Sequence, residues 1–382
     1  MDWATRLVGL DTTSRDPNLP LIEVVAAELR AGGLTTHVRP APDDGWANLI
    51  ATIPAADGST DGGVVLSGHT DVVPVDGQDW GSEPFAPQVR DGRLYGRGSA
   101  DMKGFIACVL ALLPDMQAAA LREPIHVAFS YDEEIGCVGG DQIVKDFADL
   151  GLRPRVAIIG EPTMMRAIRG HKSVNLAEFR FTGLACHSSL KPHGLNAIEY
   201  AADVISQIRE LGERFAQEGP FDPAYEIGHT TIGVNLISGG IASNTVADSC
   251  VFQADFRTIA ADDPQGVVDE LQALADEAQR RMREANPAGA VELRILSRVP
   301  GLDTAPDGPA ARLFAELGVP VSDELVTYGT EAGQFSGAGM DAIVCGPGDI
   351  AQAHGTDEYV ELDQLARCEA FLTRLIEHLS VR

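Results

Sequence analysis

Ser67-Gly-His-Thr-Asp-Val-Val-Pro74 follows the apolar run Val64-Val65-Leu66, and the reading of that junction decides the fold. A short, uninterrupted apolar run reads as a strand covered on both faces, which is the habit of a parallel sheet. His69 and Asp71 sit at its end, two residues apart. A second segment, Gly96-Arg-Gly-Ser-Ala-Asp-Met-Lys-Gly104, places Asp101 in a glycine-rich bend just before a helical pattern. An imidazole and a carboxylate presented at strand ends are donors that a zinc site uses.

Outward from this junction, strands and helices alternate. Thr35–Arg39, Asn48–Ile53, Pro124–Tyr131, Val156–Gly160 and Ala342–Gly346 read as further strands. Leu21, Ile22, Val24, Val25 and Leu29 recur at helical spacing until Gly32-Gly33, Phe105–Leu113 reads as a buried helix, and Asp363–Ser380 as a closing one. This alternation predicts a mostly parallel α/β sheet. Between about residues 172 and 298 the texture changes. A strand over Ser173–Gly183, a helix over Asn196–Gln217, strands over Thr230–Ile237 and Cys250–Phe256, a helix over Pro264–Ala285 and a strand over Val291–Ile295 follow in turn. The order βαββαβ predicts an inserted α+β, ferredoxin-like domain. The expected organisation is a discontinuous domain, 1–171 with 299–382, interrupted by a smaller one, 172–298.

The 382 residues suffice for two or three domains with ample core. A net charge of −27 argues against nucleic acid as a partner, because phosphate binding needs a basic footprint. No run of about 18 apolar residues occurs, so no membrane partner is expected. The N-terminus shows no basic stretch leading into an apolar one, so no export signal is expected. Cys108, Cys137, Cys186, Cys250, Cys345 and Cys368 form no C-x-x-C pair, which favours reduced packing thiols and a cytoplasmic setting.

Every candidate ligand stands beside a glycine or at the end of an apolar run. His69 follows Leu66, Asp101 follows Gly98, Glu133 and Glu134 follow Tyr131, Glu161 follows Gly160, and His354 follows the strand ending at Gly346. In an open α/β sheet strand C-termini meet at one crevice. Five oxygen and nitrogen donors gathered there can hold two zinc-class ions with one carboxylate between them. Taken singly, each of these residues is an ordinary turn acid or a structural histidine.

Together the blocks resemble the zinc-dependent M20 amidohydrolase and peptidase family over essentially the full length. They are Ser67–Pro74, Tyr95–Gly104, Asp132-Glu-Glu134, Gly160-Glu-Pro-Thr163, His187-Ser-Ser189 and His354. The resemblance implies a zinc-peptidase-like catalytic domain with an inserted lid and dimerisation domain, two divalent metal ions (zinc or cobalt) per subunit, and a homodimer acting on a small N-acyl amino acid. It implies Asp101 between two metals, with His69 and Glu161 completing one ion and Glu134 and His354 the other. Glu133 would be the general base, Asp71 would orient His69, and His187 would serve the oxyanion in a partner subunit. Asn244 and Arg257 become candidates for the substrate carboxylate, and Thr330 and Glu331 for lining the pocket, Glu331 opposite a cationic amine. Gly170–Ser173, Gly239–Asn244, Tyr328–Gly333, Cys345–Gly348 and Gln352–Tyr359 look most like the acetylornithine deacetylase branch, which implies hydrolysis of N2-acetyl-L-ornithine in arginine biosynthesis. Other branches stay open: succinyl-diaminopimelate desuccinylase, aminoacylase, and dipeptidase or carboxypeptidase. A non-catalytic metal-binding relative is the alternative from another class. Gly355-Thr356 departs from the Lys-Pro common in relatives, which leaves the ligand intact and alters the stiffness of its loop.

Overall fold

A computed structural model describes residues 1–381. The chain forms two compact units, one from Met1–Gly170, Leu302–Leu325 and Thr330 onward, the other from His171–Gly301 with Val326–Gly329.

The first unit is built on a six-stranded sheet. Its spatial order is Thr36–Pro40, Ala47–Ile53, Ile125–Ser130, Val64–His69, Val156–Pro162 and Asp341–Gly346. The last four run parallel, and Ala47–Ile53 runs antiparallel to Ile125–Ser130. Every residue of Val64–His69, Ile125–Ser130 and Val156–Pro162 is buried, as the unbroken apolar runs require of strands covered on both faces. Helix Leu19–Ala31 buries Leu21, Ile22, Val25, Ala26 and Leu29, and ends where Gly33 takes a φ of 81°. The buried helix expected over Phe105–Leu113 is instead two, Lys103–Ala111 and Leu113–Ala118. The break falls at Leu112, two residues before Pro114, which lacks the N–H needed to continue a helix and suits the first turn of a new one.

A small antiparallel sheet of Gln88–Arg90, Arg93–Tyr95 and Tyr359–Glu361 was not legible in the sequence. Strands of three residues are too short to show a period. This sheet lays the residues after His354 beside those leading to Asp101, through the register Tyr359 opposite Tyr95.

The second unit is a four-stranded antiparallel sheet in the order Thr231–Gly239, Ser249–Arg257, Val174–Thr182, Ala290–Val299. First and third strands in the centre, second and fourth at the edges, is the ferredoxin-like arrangement. Phe179, Phe181 and Phe252 stack in its core under helices Ala197–Glu218 and Pro264–Ala285. Both helices begin on side-chain caps, Asn196 accepting from Ile198 N–H at 3.1 Å and Asp263 from Gln265 N–H at 2.9 Å. Leu236 and Ile237 on the edge strand, and Ile241 just beyond it, are exposed. No helix among the described residues is long and apolar enough to cross a membrane.

His126 lies inside the central sheet, its Nδ1 2.9 Å from Thr52 Oγ1 and its Nε2 3.1 Å from the Gly62 carbonyl. A neutral ring satisfies both contacts, Nδ1 accepting from the hydroxyl and Nε2 donating to the carbonyl. Burial accordingly lowers its pKa from the usual 6.5. The unfolded chain therefore takes up this proton first, and the stability that His126 contributes is lost as pH falls below about 6.5. Denaturant unfolding of wild type and His126→Asn should show the wild-type advantage shrinking from pH ~7 to pH ~5. A constant or growing advantage contradicts a neutral, doubly bonded ring.

Candidate metal centre

The C-terminal ends of the parallel strands deliver the candidate donors. His69 closes Val64–His69, Glu161 lies near the end of Val156–Pro162, and Asp132-Glu-Glu134 follows Ile125–Ser130. His354 comes after Asp341–Gly346 and a short turn at Ile350–Gln352. Glycine is needed beside Glu161. A Cβ on Gly160 would lie 2.0 Å from the Phe105 ring, and one on Gly346 1.9 Å from the Gly160 carbonyl oxygen. The backbone there approaches its neighbours too closely for any side chain.

Asp101 stands between the two histidines. Its Oδ1 is 2.9 Å from His69 Nε2 and its Oδ2 3.3 Å from His354 Nε2. Glu161 Oε1 lies 3.7 Å from His69 Nε2 on one side, and Glu134 Oε2 3.0 Å from His354 Nε2 on the other. Donor atoms of His69, Asp101 and Glu134 all fall within 4.8 Å of one another, as do those of His69, Glu133 and Glu161.

The electrostatics are those of acids crowded without enough positive charge. Burial and the neighbouring Asp101 raise Glu134 to about 7, and the same two causes raise Glu161 well above the carboxylate range. Burial likewise raises Glu133, against the attraction of His69 and with added repulsion from Glu134, Asp101 and Glu331. Burial pushes Asp101 up as well, but hydrogen bonds from His354 and His69 outweigh it and hold the carboxylate ionised. His354 is raised to about 10 by its hydrogen bonds to Asp101 and Glu134. The histidines are thus doing with protons what a divalent cation does better. Two imidazoles and two carboxylates gathered about the two oxygens of Asp101 fit two zinc-class ions.

Asp71 does more than the sequence suggests. The His69 Nδ1 is nearer the Asp71 backbone carbonyl, at 3.0 Å, than its carboxylate, at 3.5 Å. The carboxylate accepts instead from Glu133 N–H at 3.0 Å, Glu134 N–H at 3.2 Å and the Ser14 hydroxyl at 2.7 Å. It ties down the turn that carries the two glutamates. Cys137, one of six unpaired cysteines and expected to be packing only, donates its thiol to Glu133 Oε1 at 3.3 Å.

The other expected site residues belong partly to the second unit and partly to the first. His187 and Asn244 belong to the second unit, where Ser188 N–H donates to the Asn244 carbonyl at 2.9 Å and His187 pairs with Thr245 as an isolated bridge. His187 is exposed, with Nδ1 2.8 Å from Ser189 Oγ. Arg257, also in the second unit, is half-buried beside Asp255 at 3.3 Å. Thr330 is buried and accepts from Ala332 N–H at 3.0 Å. Glu331, which follows it, is buried too. It is 1% exposed, and burial raises its carboxyl to about 7. It is also among the acids that act on Glu133.

Sequence reasoning missed the supports behind Asp101. Glu358 Oε1 accepts from Ala100 N–H at 2.9 Å and Asp101 N–H at 3.2 Å, while its Oε2 pairs with Arg97 at 2.7 Å. Both side chains are buried, so each depends on the other. Arg97 and Glu358 stood within two of the quoted blocks, but nothing in the spacing says that these blocks touch.

The model for "Peptidase family M20/M25/M40" matches residues 65–378. An acetylornithine deacetylase from Myxococcus xanthus is 36% identical over 376 residues, 98% of this chain and 96% of the relative. One from Klebsiella pneumoniae (strain 342) is 33% identical, over 94% and 91% of the two chains. Among solved structures, a Staphylococcus aureus tripeptidase aligns with a TM-score of 0.75 at 20% identity, covering 99% of this chain and 97% of its own. A Bacillus subtilis protein described as a dinuclear metal-binding M20 peptidase aligns at 0.67 and 15%, covering 99% and 97%. With a family match across most of its length and relatives above 30% identity, this chain belongs to peptidase family M20/M25/M40 and is a metal-dependent amidohydrolase resembling acetylornithine deacetylase.

Proposed function

We propose that the chain hydrolyses the acetyl amide of N2-acetyl-L-ornithine, releasing ornithine and acetate, as a step in arginine biosynthesis. The observation that carries this reading is Asp101 placed between His69 and His354, with Glu133 beside them, in a chain 36% identical to an acetylornithine deacetylase. Asp101, His69 and Glu161 would hold one zinc-class ion and Asp101, Glu134 and His354 another. When bound, such ions supply Lewis acidity and lower the pKa of water.

Glu133 is the proton carrier of this reading. It takes a proton from the attacking water and returns it to the leaving amine nitrogen, so that the C–N bond breaks to a neutral amine. Its half-buried carboxylate is oriented by the Cys137 thiol and by the Asp71 tether on its own N–H. His187 is assigned to donate to the oxyanion of the tetrahedral carbon within a homodimer, with Asn244 and Arg257 receiving the substrate carboxylate. Thr330 remains a candidate lining residue. Six unpaired cysteines suit a reducing, cytoplasmic compartment.

The test is a substrate panel on zinc- or cobalt-loaded protein: N2-acetyl-ornithine, succinyl-diaminopimelate, other N-acyl amino acids and dipeptides. Acetate release from N2-acetyl-ornithine should exceed every other turnover. Preference for another member, with acetyl-ornithine untouched, overturns the substrate and keeps the family.

A further inference from the structure

We infer that Gln78 is a positioning residue that holds His354 in place and thereby sets the affinity of the His354 side of the centre. The inference rests on the two-cation reading above.

His354 occupies an unusual backbone position. Its φ is +63°, in the left-handed region that residues with a Cβ rarely adopt, and Asp357 three residues on has a φ of +53°. Such a conformation persists only where surrounding groups enforce it. Here the enforcing groups come from the loop after Val75. Gln78 Nε2 donates to the His354 carbonyl at 2.8 Å, and Gly81 N–H donates to Asp357 Oδ1 at 2.9 Å. Between them, Arg97 donates to the Gly355 carbonyl at 3.2 Å. The peptide planes that follow His354 and Gly355 are therefore both pinned.

Gln78 is itself fixed. Its Oε1 accepts from Arg97 Nη2 at 2.7 Å and from Trp80 Nε1 at 3.0 Å, and its backbone N–H closes a turn onto Val75 at 3.2 Å. Those contacts leave the amide one orientation, with its NH2 toward His354. Arg97 is held separately by Glu358 through its other terminal nitrogen, so loss of Gln78 leaves the support behind Asp101 in place. Released from Gln78, His354 can relax to an ordinary φ, and its Nε2 leaves Asp101 and Glu134.

The effect should be one-sided. His69 is oriented from elsewhere, by the Asp71 carbonyl, and Gln78 touches neither His69 nor Glu161. Residues that orient a metal ligand typically contribute about 10–100-fold to affinity.

Stepwise calorimetric titration of metal-free protein with zinc tests this, using wild type, Gln78→Met, which keeps the side-chain length without its polar atoms, and Gln78→Ala. The His354 event is identified as the one missing from His354→Ala. The expected result is that this event alone weakens by about 10–100-fold in both Gln78 variants. Two events indistinguishable from wild type, or both weakened together with a lowered melting temperature, overturn the inference. A wild type that takes up a single zinc overturns the two-cation reading, and the inference with it.

Discussion

Glu133→Gln is expected to lower kcat by about a thousandfold or more while the protein still binds its full complement of metal. General acid–base groups contribute roughly 10²–10⁴-fold, and a base that also returns the proton stands at the upper end. The amide matches the carboxylate in size and still accepts from the Cys137 thiol, so the surroundings need not change. What it cannot do is hold a proton. Glu134, next in sequence, is no substitute, because its Oε2 is committed to His354 at 3.0 Å. Acetate release and metal content measured on one preparation decide the matter. Turnover near wild type removes Glu133 as the proton carrier; loss of metal along with activity makes it a ligand.

The second large effect concerns Asp101 and Asp71. Asp101→Ala should lose both ions on dialysis, because Asp101 alone faces both histidines, through different oxygens. Asp71→Ala should keep metal on the His69 side and lose most of its activity. The group nearest His69 Nδ1 is the Asp71 backbone carbonyl, which the substitution leaves in place. The three contacts it removes are those on Ser14, Glu133 N–H and Glu134 N–H, so the damage falls on the glutamate turn. Metal analysis of the two variants side by side is the check. Equal retention, or equal loss, contradicts this division of labour.

The contrast shows where sequence reading succeeds. The meeting of His69, Asp101, Glu134, Glu161 and His354 was readable because each stands at the end of an apolar run or in a glycine-rich bend, and open parallel sheets gather such ends. The ferredoxin-like unit was readable because its helices and strands are long enough to show their periods. The burial of Glu331 was not legible, because a glutamate in a loop-like stretch gives no sign of it. Gln78 was invisible, since a single amide in a polar loop carries no period, and its partner lies 276 residues away. The exchange of roles within Asp71, carbonyl toward His69 and carboxylate toward the glutamates, depends on side-chain orientation that spacing does not encode.

The parallel register described for the central sheet has a consequence for what the site can tolerate. Val64–His69 lies in step with Ile125–Ser130, with His69 directly opposite Ser130. Side chains alternate between the faces of a strand, so a slip of one residue would turn His69 to the opposite face. The same slip would shift the start of the Asp132-Glu-Glu134 turn relative to it. The centre is therefore a vernier on the sheet: a misalignment of a single residue is read out in full at the strand tips.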